Sequence, residues 1–276
     1  MSISGAVSQL SPFGRLLRHW RALRGMSQLN LATEAGVSGR HISFVETGRA
    51  QPSREMVLRV AESLDLPLRE RNALLAAAGF AAYYRETGID TPEMEPLNRV
   101  IAFLLNQHEP FPALLMDRCW NVLRSNSAAV ATLGRFAGPG RVWSQQPLNL
   151  IRITLHPEGL RPHMLNWDEI AVATIATVRR TLAASGSDRQ LSRLLDEILT
   201  YPDLPSMQQG AAELESAPYL VLPIHLKRDD LELRLFSAVT TMGTPQDITL
   251  QELRMESFMP ADVATESALR AIAATT

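Results

Sequence analysis

A short polar stretch around residue 40 carries side chains suited to hydrogen bonding with another macromolecule. Arg40, His41 and Ser43 fall on the outward side of a predicted helix, whereas Ile42 and Val45 fall on its buried side. An arginine fork can donate to O6 and N7 of a guanine together, and a serine hydroxyl can bond several base edges. This set therefore predicts contacts with base edges in a DNA major groove, with Arg40 on a guanine.

Five further residues near this stretch are expected to contribute to the same surface. Gln28 stands at the N-terminus of the preceding helix, where a phosphate or base contact is expected. Ser38 is the expected N-cap of the polar helix and is counted among the DNA contacts. Arg49 follows Gly48 and is predicted to contact a phosphate, as are Arg18 and Arg24 on an upstream helix.

The elements that must position these residues are two short helices joined by a tight turn. Ser27 is a plausible N-cap for the first helix, which ends near Ala35. Gly36 can adopt the left-handed conformation that ends a helix at low cost. Val37 is the one apolar residue of the turn and is expected to fill the space between the two helices. Ser38 starts the second helix. This arrangement predicts a helix-turn-helix, whose second helix enters the major groove.

Three more helices are predicted around this pair. One covers Pro12 to Arg24, a second begins at Pro52-Ser53 and reaches Leu64, and a third runs from about Pro67 to Gly79. Five short helices in about eighty residues make an all-α domain of ordinary size.

The spacing of this region resembles a known family of regulators. Arg-x-x-Arg-x-x-Ser-Gln-x-x-Leu-Ala, Gly-Val-Ser and Ile-Ser-x-x-Glu-x-Gly-Arg-x-x-Pro-Ser, between Arg21 and Ser53, are similar to the Xre/Cro/C1 family of bacterial helix-turn-helix regulators. Residues 53–80 resemble the narrower MmyB-like group, which joins such a domain to a C-terminal ligand-sensing domain. The family pattern implies that Glu46 braces the domain.

Other function classes were compared with DNA binding. The sequence contains no Gly-rich phosphate loop, His-Glu-x-x-His or Gly-x-Ser-x-Gly motif, and its histidines lack the spacing of metal ligands, so an enzyme is not expected. The alternative that stays open is a protein-interaction module that retains the fold without binding an operator. The polar set Arg40, His41 and Ser43 favours DNA, because an interaction helix has little reason to keep it.

Composition agrees with two functions in one chain. The 276 residues suit two domains. Residues 1–90 hold 11 Arg and 8 acidic residues, a net charge of +3, whereas the remainder carries −5. Cys119 is the only cysteine, which excludes an intrachain disulfide and a Cys-based zinc site and suggests a buried residue. No signal peptide or membrane span is predicted, so a cytoplasmic bacterial protein, nucleoid-associated when bound to DNA, is expected.

The predicted organisation is a helix-turn-helix domain over 1–84, a linker over 85–92 and an α+β domain over 93–276. In the last of these, a loop is expected at 137–147 and mostly helices at 148–199. Strands are predicted at 113–116, 120–123, 219–226, 231–241 and 250–259, forming a small antiparallel sheet with flanking helices.

Residues 112–129 resemble the start of a PAS-like sensor domain. The resemblance implies a small hydrophobic effector, such as a fatty acid or acyl compound. No other cofactor and no metal are expected. Trp120, Asn126, His163 and Trp167 are the candidate pocket residues. A haem or flavin is less favoured, because no histidine or cysteine stands in a distinctive attachment motif.

Together these features predict a ligand-responsive transcription regulator that binds double-stranded DNA. One short recognition helix reads few base pairs, so a homodimer on a palindromic operator is expected. The family resemblance favours a repressor.

Overall fold

The computed structural model describes residues 10–186, 188–207 and 221–275, which form two compact units. The first unit contains the described residues up to Glu86 together with Pro245–Gln251, and the second contains Thr87–Thr244 and the residues from Glu252 onward. The segment Pro245–Gln251 was not expected in the first unit, since the sequence pattern assigned it to the C-terminal domain. In the described part of the chain, no helix is long and apolar enough to cross a membrane.

The first unit contains the five helices that the sequence predicts. They are α1 (Pro12–Leu23), α2 (Gln28–Glu34), α3 (Gly39–Glu46), α4 (Arg54–Ser63) and α5 (Leu68–Ala77). Ser27 and Ser38 cap α2 and α3, since each hydroxyl accepts a hydrogen bond from the backbone N–H three residues later. Gly36 has φ +64°, and Val37 packs against the core. The predicted helix-turn-helix is therefore confirmed.

The first unit has a buried carboxylate at its centre. Glu46, the last residue of α3, has no solvent-exposed surface. Its two oxygens accept hydrogen bonds from the Arg21 guanidinium of α1 at 2.7 and 3.2 Å. The side-chain amide of Gln28, at the start of α2, donates to the same carboxylate at 2.7 Å. One acidic side chain thus connects three helices.

The helices α1 and α3 approach each other closely at Gly14. A Cβ atom added at Gly14 would lie 2.1 Å from the backbone oxygen of Glu46. No side chain fits there without displacing backbone, so a glycine is required for this helix packing.

The second unit is α+β, as predicted. Its strands are β1 (Ala113–Met116), β2 (Val122–Ser125), β3 (Ile224–Arg228), β4 (Leu231–Thr241) and β5 (Arg254–Pro260). They form one antiparallel sheet in the order β2-β1-β5-β4-β3. The helices that follow the first unit's five are α6 (Glu95–Gln107), α7 (Ser127–Phe136), α8 (Arg141–Ser144), α9 (Leu150–Leu155), α10 (Trp167–Ala184), α11 (Arg189–Ile198), α12 (Ile248–Glu252) and α13 (Val263–Ala274).

Two predictions near the start of this unit are wrong. The second strand begins at Val122 rather than residue 120, because the Asp117 carboxylate accepts hydrogen bonds from the N–H groups of Cys119 and Asn121 and lengthens the turn. The predicted loop at 137–147 contains the short helix α8. Cys119 is buried, as expected.

The later strands also differ from the prediction. Of the strand predicted at 219–226, residues 219 and 220 lie outside the described part, and the described strand covers Ile224–Arg228. The segment predicted as a strand from residue 250 begins as α12, where the Asp247 side chain accepts a hydrogen bond from Thr249 N–H at 2.8 Å. The expectation that Leu253, Met255 and Ser257 share a face is confirmed, since all three are buried.

The segment Pro245–Gln251 makes specific contacts within the first unit. The Leu68 N–H, at the start of α5, donates to the Gln251 side-chain oxygen at 2.6 Å. Pro67, the N-cap residue of α5, makes no side-chain hydrogen bond to the helix. The Gln251 side chain therefore satisfies the first backbone N–H of α5 in its place. The Ile248 N–H also donates to the Arg85 carbonyl at 2.8 Å.

Replacing Glu46 by Ala should destabilise the first unit by about 3 kcal/mol, because the Arg21 charge would lose its carboxylate partner. The low end of the range for buried pairs applies, since Arg21 retains some contact with water. Hydrogen exchange measured by mass spectrometry on peptides from α1 and α3 reports this loss separately from the second unit. Glu34→Ala, at an exposed position in α2, should change protection by less than about 0.5 kcal/mol. Equal protection in wild type and Glu46→Ala would contradict the bracing role.

Candidate functional site

The helix α3 presents a polar N-terminal end. Arg40 is exposed, and its guanidinium lies 5.1 Å from the centre of the Phe44 ring one turn later. His41 and Ser43 are half-buried, while Ile42 is fully buried on the opposite side. The structure therefore brings the three predicted base-contacting residues together on one accessible end of the helix.

Ser38 and Arg49 flank this polar end. The exposed Ser38 hydroxyl accepts a hydrogen bond from His41 N–H at 3.2 Å, and its own hydrogen is still able to bond a phosphate. Arg49 is exposed directly after Gly48, whose φ of +74° turns the chain away from α3. Both positions agree with the phosphate contacts expected at the edges of a recognition helix.

Three other predicted DNA contacts have partners inside the first unit. Gln28 donates to the buried Glu46 carboxylate. Arg24 donates to two backbone carbonyls at the end of α4, at 2.8 and 2.9 Å. Arg18 is exposed over about half of its side chain, and its Nε lies 3.8 Å from a Glu46 oxygen. These bonds give Gln28 and Arg24 a role in holding the helices together, which the sequence did not indicate.

The second unit contains a cavity of about 330 Å³, a volume typical of small-molecule sites. One wall is a face of the sheet, and the other walls come from α7, α9 and α10. The lining consists of Pro112, Leu114, Trp120, Ala129, Thr132, Leu133, Phe136, Leu150, Ile151, Thr154, Leu160, Met164, Ile170, Ala173, Thr174, Thr177, Leu222, Ile224, Leu226, Leu235, Ser237, Val239, Glu256 and Phe258.

The exposure of the lining rises toward one end of the cavity. Along β4, Leu235 is 4% exposed and Val239 is 57% exposed. Along α10, Ile170 is buried, whereas Thr177 is exposed two turns later. Among the described residues, the cavity therefore has a closed apolar end near Leu235 and Ile170, which belong to one buried cluster, and an open end near Val239.

Glu256 is the only ionisable residue in this described lining. It lies on β5, the central strand, between Leu114 of β1 and Val239 of β4 in the sheet register. Burial raises the pKa of the Glu256 carboxyl above its usual range, and a hydrogen bond from the Ser237 hydroxyl opposes this shift. A carboxyl group is thus held beside otherwise apolar walls.

Of the four pocket residues predicted from the sequence, Trp120 lines the cavity. Its backbone has φ +60°, which the Asp117 turn imposes, and its carbonyl accepts a hydrogen bond from Leu150 N–H at 2.9 Å. The Arg254 guanidinium lies 5.3 Å from the centre of its ring. The position of the indole is therefore fixed by the backbone turn on one hand and by the Arg254 guanidinium over its ring on the other.

Asn126 lies outside the lining and joins elements instead. Its side-chain oxygen accepts from Ala113 N–H at the start of β1 and from Ala129 N–H in the first turn of α7. Its amide donates to the carbonyls of Leu105 and Phe111 at 3.3 and 2.8 Å. These four hydrogen bonds use the polar atoms of the side chain, which is 4% exposed. The predicted capping of α7 by Asn126 is therefore confirmed, and the residue supports the cavity wall without lining it.

His163 and Trp167 also lie outside the lining. His163 packs against Phe136, a wall residue, with 5.6 Å between ring centres, and burial lowers its pKa below the usual range. The Trp167 ring lies under the Arg161 guanidinium at 4.6 Å. Both residues support the wall from outside.

The sequence prediction missed the sheet face that lines the cavity. Because Met255 and Ser257 lie on one buried side of β5, strict alternation places Glu256 and Phe258 on the other side. This alternation could have shown that Glu256 and Phe258 share a face of the strand. A glutamate opposite a buried face is, however, ordinarily expected to point to solvent.

Two family models match the chain. The model of the MmyB-like transcription regulator ligand binding domain matches residues 97–272, which is more than half of the chain and contains the whole cavity lining. The model of a helix-turn-helix domain matches residues 12–74. The first of these models describes part of a transcription regulator. A comparison with curated proteins gives no match.

Proposed function

The chain belongs to the MmyB-like transcription regulators, and we propose that it is a repressor whose operator binding is controlled by a small hydrophobic effector. The observation that carries this proposal is the apolar cavity in the unit that matches the ligand-binding domain. An exposed polar recognition helix stands in the other unit of the same chain. A DNA-binding regulator with both parts can couple effector occupancy to DNA affinity.

In this proposal α3 lies in the major groove with its N-terminal end against the bases. Arg40, His41 and Ser43 contact base edges, while Ser38 and Arg49 contact the phosphates on either side. An eight-residue helix reads only a few base pairs. Two copies related by a twofold axis would double the site, so we propose a homodimer on a palindromic operator.

Arg40→Ala should weaken operator binding by about 1–3 kcal/mol and relax selectivity at one base pair, because a bidentate base contact is lost. Arg49→Ala should weaken all sequences alike and reduce the salt dependence, because one phosphate contact is lost. Fluorescence anisotropy with operator and mutated DNA at several salt concentrations measures both effects. Arg179→Ala, exposed on α10, is the control. Unaltered selectivity in Arg40→Ala would contradict the assignment.

The effector is proposed to place an apolar chain in the cavity. The closed end is lined by aliphatic and aromatic side chains, including Leu235, Ile170 and Phe136. Burying a chain there removes apolar surface from water on both partners, at roughly 25 cal/mol per Å². Fatty acids and acyl compounds supply such a chain, in agreement with the effector class that the family resemblance implies.

Ala173→Leu should reduce the affinity for an apolar chain at least tenfold, because the larger side chain fills part of the cavity beside α10. Isothermal titration calorimetry with dodecanol, whose head is uncharged, measures the affinity for the apolar chain. Ala176→Leu is the matched control, since Ala176 is on the same helix and outside the lining. An equal loss in both variants, or no loss in either, would count against binding in this cavity.

We further propose that the segment Pro245–Gln251 transmits the effector signal. It is part of the first unit, yet it connects β4 to β5, and both strands contribute residues to the cavity wall. Gln251 bonds the start of α5, and Ile248 bonds the Arg85 carbonyl. A shift of either strand on effector binding would therefore reach the helix-turn-helix unit through the chain itself.

Gln251→Ala should reduce the change in operator affinity caused by effector, while effector binding stays within about twofold of wild type. The variant removes a helix-capping bond worth about 1 kcal/mol, so the fold is retained. Operator affinity measured by anisotropy with and without effector gives the response. Gln246→Ala, at an exposed position in the same segment, should respond as wild type does. A full response in Gln251→Ala would exclude this route.

A further inference from the structure

The cavity contains one charged group whose partners are incomplete. Glu256 is flanked in the sheet by Leu114 and Val239, neither of which can hydrogen bond through its side chain. The Ser237 hydroxyl donates a hydrogen bond to the carboxyl. Among the described lining residues there is no Arg, Lys or His. Arg254, two positions earlier on β5, has its guanidinium against the Trp120 ring, so the described lining itself offers the carboxylate no counter-charge.

The position of Glu256 suits the head of an elongated ligand. In the register, Glu256 pairs with Val239, which marks the open end of the cavity, while Leu235 at the closed end pairs with Pro260. A chain that enters past Val239 places its tail against Leu235 and Ile170. Its head then stops at the level of Glu256 and Ser237.

The chemistry of this head follows from the groups that meet it. An ionised carboxylate accepts hydrogen bonds and donates none, and a partly buried charge without a partner is costly. A protonated amine would neutralise the charge and donate up to three hydrogen bonds, two of which Glu256 and Ser237 can accept. A carboxylate head would instead face a like charge with no cation in the lining to offset the repulsion.

We propose that Glu256 is the head-group site of the cavity and that it selects an amphipathic effector with a primary amine head. The ligand class is an aliphatic amine whose chain fills the apolar end. This inference rests on the proposed binding of a hydrophobic effector in the same cavity. It narrows that effector to a cationic amphiphile and disfavours a free fatty acid.

Three probes with the same twelve-carbon chain test the head group directly. Dodecylamine and dodecanol bury the same apolar surface, and dodecanoic acid, whose twelfth carbon is the carboxyl carbon, buries nearly as much, so large differences in affinity report the head. Isothermal titration calorimetry of the full-length protein at pH 7, below the concentrations at which the probes aggregate, gives each dissociation constant. Dodecylamine should bind about tenfold tighter than dodecanol, because its hydrogen bond is charge-assisted, and dodecanoic acid should bind weakest.

Two variants assign the preference to Glu256. In Glu256→Gln, dodecylamine and dodecanol should bind within about twofold of each other, while the dodecanol affinity stays near wild type and shows that the cavity is intact. Asp168→Asn removes an exposed carboxylate of α10 outside the lining and should retain the wild-type preference. Loss of the preference in Asp168→Asn as well would indicate general charge attraction and overturn the proposal.

The outcomes separate this inference from the function on which it rests. If dodecanol or dodecanoic acid binds as tightly as dodecylamine, the head-group assignment is overturned and the hydrophobic-effector proposal stands. If none of the three probes binds, the proposed ligand-binding role of the cavity fails, and the inference fails with it.

Discussion

The arrangement of the helix-turn-helix depends on one buried carboxylate. Glu46 ends α3 and accepts hydrogen bonds from Arg21 of α1 and Gln28 of α2. A charge without contact to water must be paired and hydrogen bonded, so the three helices are held to one arrangement. Gly14 permits it, because any side chain there would meet the Glu46 backbone. This arrangement also determines how the polar end of α3 is exposed.

The second unit contains a carboxyl group in the opposite situation. Glu256 has a serine hydroxyl for a partner and an open cavity beside it, whereas Glu46 has an arginine and complete hydrogen bonding. Glu46 therefore stabilises a fixed structure, and Glu256 is left to interact with what enters the cavity. Unfilled apolar volume costs folding free energy, so a cavity of this size is consistent with a binding site.

The two units are joined through the path of the chain. The strands β4 and β5 supply one wall of the cavity, and the segment that joins them, Pro245–Gln251, is part of the helix-turn-helix unit. Gln251 acts as a side-chain partner for the start of α5, where Pro67 offers none. The chain itself therefore joins strands of the cavity wall to the helix-turn-helix unit.

Local features were determined by the sequence itself. Helix caps such as Ser38 and Asn126 and the left-handed turn at Gly36 were predictable, because they depend on residues three or four positions apart. Tertiary structure decided which polar residues are engaged. The partner of Gln28 is 18 positions away, and one cross-strand neighbour of Glu256, Leu114, lies more than 100 positions earlier in the chain. Alternation in β5 showed two faces, but only the packing of α7, α9 and α10 over one of them turned Glu256 from an ordinary surface residue into a cavity residue.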